Sequence, residues 1–215
     1  MLEKYKAFLF DMDGTLVDSE PLKGEALALS CAHFGSEVSA DVYKDIMGES
    51  IETVARHFFK VADISPDLNE FLDIFKTTYR DLLRGKAKLI PGVGGFIDHL
   101  SRKKVKIGLV SSAYRWMVMN VLEQIGFNNT FDIIITQEDV QKHKPDPQAY
   151  LLAVERLAVK ARETLAFEDS SAGLTAADRA GCDTIAVMHD FNPGHNFGNS
   201  LLRIDNYQKL IKEIS

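Results

Sequence analysis

Five short apolar runs, at residues 6–10, 105–110, 131–135, 165–167 and 184–188, constrain this chain more than any other feature. Each is too short for a helix and is bounded by charged or turn residues, as expected of a strand covered on both faces. Between the later runs the apolar residues change to helical spacing. Val118, Val121, Leu122 and Ile125 stand at i, i+3, i+4 and i+7, with Gly126 as a stop. Asp146-Pro147 offers a cap and first turn ahead of Leu151, Val154 and Ala158, and Ala180-Gly181 ends a further helix. Strands alternating with helices predict a doubly wound, parallel α/β sheet.

The first half breaks this rhythm, because roughly 90 residues separate the first run from the second, where a crossover needs only about a dozen. The surplus has helical spacing throughout: Leu22, Ala26 and Leu29; Ile51, Val54, Ala55 and Phe58; Leu68, Phe71, Leu72, Phe75 and Leu82. Helix starts are expected at Ser19 ahead of Pro21, Ser50 ahead of Ile51, and Ser65 ahead of Pro66. The expectation is an all-helical subdomain over residues 17–85, inserted into a core domain made of residues 1–16 and 86–215. Ile90-Pro91-Gly92 marks the return.

Composition limits the partner. With 31 acidic and 25 basic residues the net charge is −6, which disfavours nucleic acid or an anionic membrane, since both demand clustered Lys and Arg. A small anionic metabolite in a local pocket stays compatible. No apolar run approaches the ~18 residues that span a bilayer, and the first run is halted at Asp11, too soon for a signal peptide. The chain therefore reads as mature protein. Cys31 and Cys182 lie far apart and form no CxxC pair, which predicts a reducing, cytoplasmic setting. The oligomeric state is left open, a monomer being compatible with the sequence.

Chemistry gathers behind the strands. Asp11-Met12-Asp13-Gly14-Thr15 follows the first run, and at a strand end residues i and i+2 project to one side. Two carboxylates so placed repel unless a cation lies between them or one keeps its proton. Gly14 allows a sharp turn beside a ligand. An acidic turn is the plain alternative. Ser111, Lys144 and Glu168-Asp169 follow the later runs, on the face where open α/β sheets bind ligands. Taken singly, Ser111 reads as a helix cap, Lys144 as a solvated charge and Asp169 as a turn former. Their joint order favours one site.

The order Asp-x-Asp-Gly-Thr, strand-ending Ser, Lys-Pro and Glu-Asp resembles the haloacid dehalogenase-like (HAD) hydrolase superfamily, in its beta-phosphoglucomutase-like branch with a helical cap. The likeness covers essentially the whole chain, including residues 14–19, 90–93 and 168–173. It implies a HAD-like core, a cap over residues 17–85, and magnesium-dependent hydrolysis of small phosphomonoesters, sugar or polyol phosphates, through an aspartyl-phosphate. Carried over by position, Asp11 is the nucleophile and Asp13 the acid and base. Mg2+ is held by Asp11, Asp169 and the backbone carbonyl of Asp13, with Glu168 behind them. Gly14, Ser111, Ser112 and Lys144 bind the transferring phosphoryl group. Substrate selection falls to Lys23, Glu49 and Ser50 of the cap and to Arg115 of the core.

A sugar phosphomutase is the closest rival. Members of that kind commonly carry a cap Arg three residues after a Gly, where this chain has Ile51 after Gly48, and a Ser-Lys/Arg-Asn set, where it has Ala113-Tyr114-Arg115. A His common in the first cap helix corresponds to Lys23. These departures favour the phosphatase. A signalling receiver domain takes its phosphoryl group on a middle strand and has no helical insertion, and a non-enzymatic module has no need of intact Asp11, Asp13, Lys144 and Asp169. The six histidines, among them His189 and His195, are expected in structural or surface roles, Trp116 and Phe58-Phe59 in packing, and residues 191–198 as a loop.

Overall fold

The computed structural model describes residues 2–214. Strand β1 (Ala7–Phe10) is followed by three helices, α1 (Glu20–His33), α2 (Ile51–Ala62) and α3 (Leu68–Leu83), and α4 (Val93–Lys103) then leads into β2 (Lys106–Val110). Helices and strands alternate from there: α5 (Arg115–Gln124), β3 (Ile133–Ile135), α6 (Gln148–Arg156), β4 (Thr164–Glu168), α7 (Ser171–Arg179) and β5 (Asp183–Val187). β6 (Leu202–Ile204) and α8 (Gln208–Ile214) close the chain. The six strands form one parallel sheet in the order β3-β2-β1-β4-β5-β6. The winding reverses at β1, so the carboxyl ends of β1, β2 and β4 open on a single crevice.

β1 is buried along its whole length, and its two faces meet different cores. On one, Phe10 stacks on Phe167 at 4.8 Å, with Phe96 and Tyr207 packed around them. Full burial of rings like these stabilises the fold by ~1.5–3 kcal/mol each. The other face, Ala7 and Leu9, meets Ala149, Ala153, Ala176 and Ala177, and these small residues let α6 and α7 approach closely.

The five expected strands are present with shifted ends, and a sixth, β6, is additional. Its residues Leu202-Arg203-Ile204 give no apolar run, because an edge strand is half exposed and is held by backbone pairing to β5. Some helix faces also differ from expectation. Leu29 and Leu151 are each 48% exposed, and the buried stripe of α3 is Phe71, Phe75, Tyr79 and Leu83. Asp67, not Ser65, caps α3, its Oδ1 accepting from the Asn69 and Glu70 amides. Ser50 caps α2 as expected, by accepting from Thr53 N. Ser19 precedes α1 without capping it.

The chain leaves the sheet and returns to it through a short paired neck. Asp18 N donates to Lys88 O at 2.8 Å and Ile90 N to Leu16 O at 2.9 Å. The three intervening helices thus hang beside the carboxyl end of β1.

Candidate active site

Asp11 directly continues β1, its amide donating to Phe167 O at 3.0 Å. A tight turn follows, with the amides of Leu16 and Val17 both donating to Met12 O. Gly14 makes this turn at φ +73°, and a Cβ there would lie 2.3 Å from Asp169 Oδ2, so the position needs glycine both for its conformation and for the close approach. Lys144 Nζ is the hub of one side. It donates to Asp11 Oδ1 at 2.7 Å, Glu168 Oε1 at 2.5 Å and Val110 O at 3.0 Å. Tyr150 OH donates to the same Glu168 oxygen at 2.5 Å. Asp169 accepts from Thr15 Oγ1 at 3.5 Å and pairs with His189 Nε2 at 2.9 Å.

Asp13 faces the helical segment. Its Oδ2 pairs with Lys23 Nζ at 2.7 Å, and its Oδ1 accepts from Tyr79 OH at 3.3 Å and from the Ser19 hydroxyl. Lys23 also lies 3.5 Å from Glu20 Oε1, while Glu20 Oε2 is buried without a partner.

All the fully buried acidic side chains among the described residues, Asp11, Asp13, Glu20, Glu168 and Asp169, gather here with both buried lysines, Lys23 and Lys144. Five carboxyls therefore face two ammonium groups. Burial pushes Asp11 well above the usual carboxylate range, against the pull of Lys144, and raises Asp169 likewise, with Glu168 adding to the effect. Burial pushes Glu20 up to about 7, opposed by Lys23. For Lys144 and Lys23 burial acts downward, but the facing carboxylates outweigh it and raise both. His189 is lowered by burial, which keeps the imidazole neutral beside Asp169.

This excess of negative charge suits a hard divalent cation. One carboxylate oxygen each from Asp11, Glu168 and Asp169 lie within 4.8 Å of one another, an all-oxygen donor set of the kind such ions take. The residues present fit a metal.

Other candidates are placed as follows. Ser111 ends β2, is buried, and its Oγ accepts from Ala113 N at 3.1 Å. Ser112 Oγ donates to Gly48 O at 2.9 Å, tying the core to the helical segment. Glu49 lines the cavity over Asp11 together with Tyr43, Ile51, Val54 and Met117, whereas Ser50 is occupied at the start of α2. Arg115 lies outside the cluster: half exposed, it binds Asp139 at 2.8 Å. Sequence reasoning missed Ser19, Glu20, Tyr43, Tyr79, Tyr150, His189 and Asn192. Tyr79 alone carried a signal, standing four residues after Phe75 on a helical stripe. His189, expected in a structural or surface role, instead touches Asp169.

A family model described as haloacid dehalogenase-like hydrolase matches residues 8–187. The Phosphorylated carbohydrates phosphatase of Thermotoga maritima is 30% identical over 190 residues, covering 88% of this chain and 88% of that protein. Hexitol phosphatase A of Escherichia coli is 31% identical over 185 residues, covering 85% of this chain and 82% of that protein. Among solved structures, the beta-phosphoglucomutase of Clostridium difficile superposes with a TM-score of 0.83 at 21% identity, over 97% of this chain and 96% of that one, a likeness of fold. With its Asp11/Asp13 pair, Lys144 and Glu168-Asp169 at one sheet crevice, the chain belongs to the haloacid dehalogenase-like hydrolases.

Proposed function

We propose that this protein is a magnesium-dependent phosphatase of small phosphorylated sugars or polyols, acting through an aspartyl-phosphate. The observation that carries the reading is Asp11: a carboxylate pinned through one oxygen by Lys144, two residues from a second carboxylate, inside a buried surplus of negative charge. The names of the Thermotoga and Escherichia relatives, a phosphorylated-carbohydrate phosphatase and a hexitol phosphatase, support the substrate class.

Lys144 holds Oδ1 of Asp11 and so aims the other carboxylate oxygen at phosphorus. A bond forms from Asp11 to phosphorus in line as the bond from phosphorus to the substrate oxygen breaks. Asp13, which must enter this step protonated and so released from its pairing with Lys23, gives a proton to that departing oxygen. It then takes one from water, which attacks phosphorus, releases phosphate and restores Asp11. Ser111, Ser112 and Lys144 bind the phosphoryl oxygens beside Gly14. Magnesium, when bound by Asp11, Asp169 and the backbone carbonyl of Asp13 with Glu168 behind them, supplies compensation for the negative charge of the transferring group.

Residues 17–85 act as a cap on a core of residues 1–16 and 86–215. The cavity over Asp11 measures about 30 Å³, room for a water and not for a sugar phosphate. The cap therefore opens at the neck to admit substrate and closes to keep bulk water from the intermediate. Among the cap's polar groups, Ser19, Lys23 and Tyr79 touch Asp13, while Glu20, Tyr43 and Glu49 line the cavity, with Ser50 beside them at the start of α2. Hydrolysis is favoured over phosphoryl return because no buried cation among the described residues is spare for a second phosphate. Lys23 pairs with Asp13 and Glu20, Lys144 with Asp11 and Glu168, and Arg115 with Asp139. Both cysteines are free and buried, which fits a reducing, cytoplasmic compartment. No helix among the described residues is long and apolar enough to cross a membrane.

The test is phosphate release from a panel of sugar and polyol phosphates with and without Mg2+, beside Asp11→Asn and a bisphosphate-primed hexose-phosphate isomerisation assay. Mg2+-dependent release, lost in Asp11→Asn, is expected. Isomerisation without net phosphate release would overturn hydrolysis in favour of a mutase.

A further inference from the structure

Two side chains on the loop that follows β5, His189 and Asn192, converge on Asp169. Asn192 Nδ2 donates to Asp169 O and to Val187 O, both at 2.8 Å, while its Oδ1 accepts from His189 N at 3.0 Å. Asn192 is fully buried. It thereby fixes the backbone of Asp169 and the backbone of His189 in one frame. The His189 ring completes the arrangement. Its Nδ1 accepts from Phe191 N at 3.2 Å, so Nδ1 must carry a lone pair and the ring proton must sit on Nε2. Nε2 is the atom 2.9 Å from Asp169 Oδ2. The tautomer is thus dictated by the loop backbone, and the imidazole is a donor to this one carboxylate oxygen.

The fit is close on the far side as well. A Cβ built on Gly14 would lie 2.3 Å from Asp169 Oδ2 and 2.7 Å from His189 Nε2. The His189–Asp169 pair is therefore seated on the bare Cα of Gly14, and any rotation of the Asp169 carboxylate that carries Oδ2 away from Nε2 loses the His189 bond.

We propose that His189 and Asn192 are positioning residues for the metal: they hold the Asp169 carboxylate in the orientation in which its other oxygen binds the cation. The inference rests on the reading of Asp169 as a magnesium ligand and adds to it the part of the chain that orients that ligand. Groups that orient a metal ligand through its second atom commonly change metal affinity by roughly 10–100-fold when removed. The site's metal affinity is in this way set by a loop that stands 20 residues (His189) and 23 residues (Asn192) beyond the ligand itself.

The experiment is calorimetric titration of the full chain with Mg2+ alone, for the parent, His189→Leu, His189→Gln and Asn192→Ala. His189→Leu and Asn192→Ala are expected to bind Mg2+ roughly 10–100-fold more weakly, and His189→Gln, which keeps an N–H donor, to recover much of the loss. Imidazole 15N shifts of the parent should show the Nε2-protonated tautomer at neutral pH. Parent-like Mg2+ affinity in His189→Leu, or a ring protonated on Nδ1, overturns the proposal while leaving Asp169 as a ligand. A parent that binds no Mg2+ overturns the metal reading itself. Should His189→Leu not fold, Asn192→Ala and the tautomer decide alone.

Discussion

Replacing Gly173 by alanine sets two effects of opposite sign against each other. Gly173 lies in the first turn of α7 with its amide donating to the Ser170 side chain. Alanine in a helix is favoured over glycine by up to ~1 kcal/mol, so propensity alone predicts a gain. Its Cβ, however, would fall 2.0 Å from Glu168 Oε2 and 2.1 Å from Glu168 Cδ. The carboxylate has nowhere to retreat, because Lys144 and Tyr150 both hold it at 2.5 Å and it is wholly buried. Pushing it off these partners costs ~3–5 kcal/mol, the usual penalty for breaking a buried pair. The net loss is then ~2–4 kcal/mol. At about 2–4 °C per kcal/mol for a chain of this length, Tm should drop by roughly 4–16 °C. The assay is thermal and urea unfolding beside Gly95→Ala, an internal control. Gly95 is exposed on α4 and its Cβ would meet only Ile211 Cδ1, at 3.5 Å, so the same substitution there should stabilise by ~0.5–1 kcal/mol. A Gly173→Ala protein as stable as Gly95→Ala would refute the claim that Glu168 is locked in place.

Lys144→Met leaves Asp11 and Glu168 facing each other without their shared ammonium. It should abolish turnover and destabilise by ~3 kcal/mol or more at pH 8, less at pH 5 where the carboxyls take up protons, and urea unfolding at both pH values checks this. Because burial raises Asp11 and Asp169 in the metal-free chain, the folded form binds protons more tightly than the unfolded chain, whose aspartate carboxyls titrate at about 4. Their contribution to stability therefore falls as pH rises from there through the folded values. A cation that replaces those protons recovers it, so the Mg2+-induced rise in Tm should grow between pH 5 and 8, and an equal rise at both would contradict the charge deficit. Trp116, the one tryptophan, sits on α5 with Lys76 and Arg80 of α3 over its ring at 5.2 and 4.9 Å. If the cap opens at the neck, its emission should change when Asp11→Asn is titrated with a sugar phosphate, and an unchanged spectrum at saturation would count against the opening.

Much of this architecture is legible in the chain alone because it depends on local rules. A strand covered on both faces is apolar at successive positions whatever its neighbours are, so β1 to β5 declare themselves. Asp11 and Asp13 share a side because the strand repeats every two residues, and the length between the first two strands demands an insertion. The family resemblance rests on the same strand-end residues, read in order.

What the sequence left open has one physical cause: it depends on partners distant along the chain. β6 holds by pairing its backbone to β5, which writes nothing into its side chains. Leu29 and Leu151 have the chemistry of core residues but sit where no neighbouring element covers them. Lys23 was a candidate for substrate and is found paired with Asp13, and Arg115, another, is drawn away by Asp139. Tyr79 reaches Asp13 across 66 residues, and His189 reaches Asp169 from a loop with no periodicity to mark it. Hydrogen bonds and ion pairs are made by single atoms at about 3 Å, and only the packed chain brings those atoms that close. Periodicity reports which side of an element faces inward, whereas the identity of what it meets there is decided by tertiary structure.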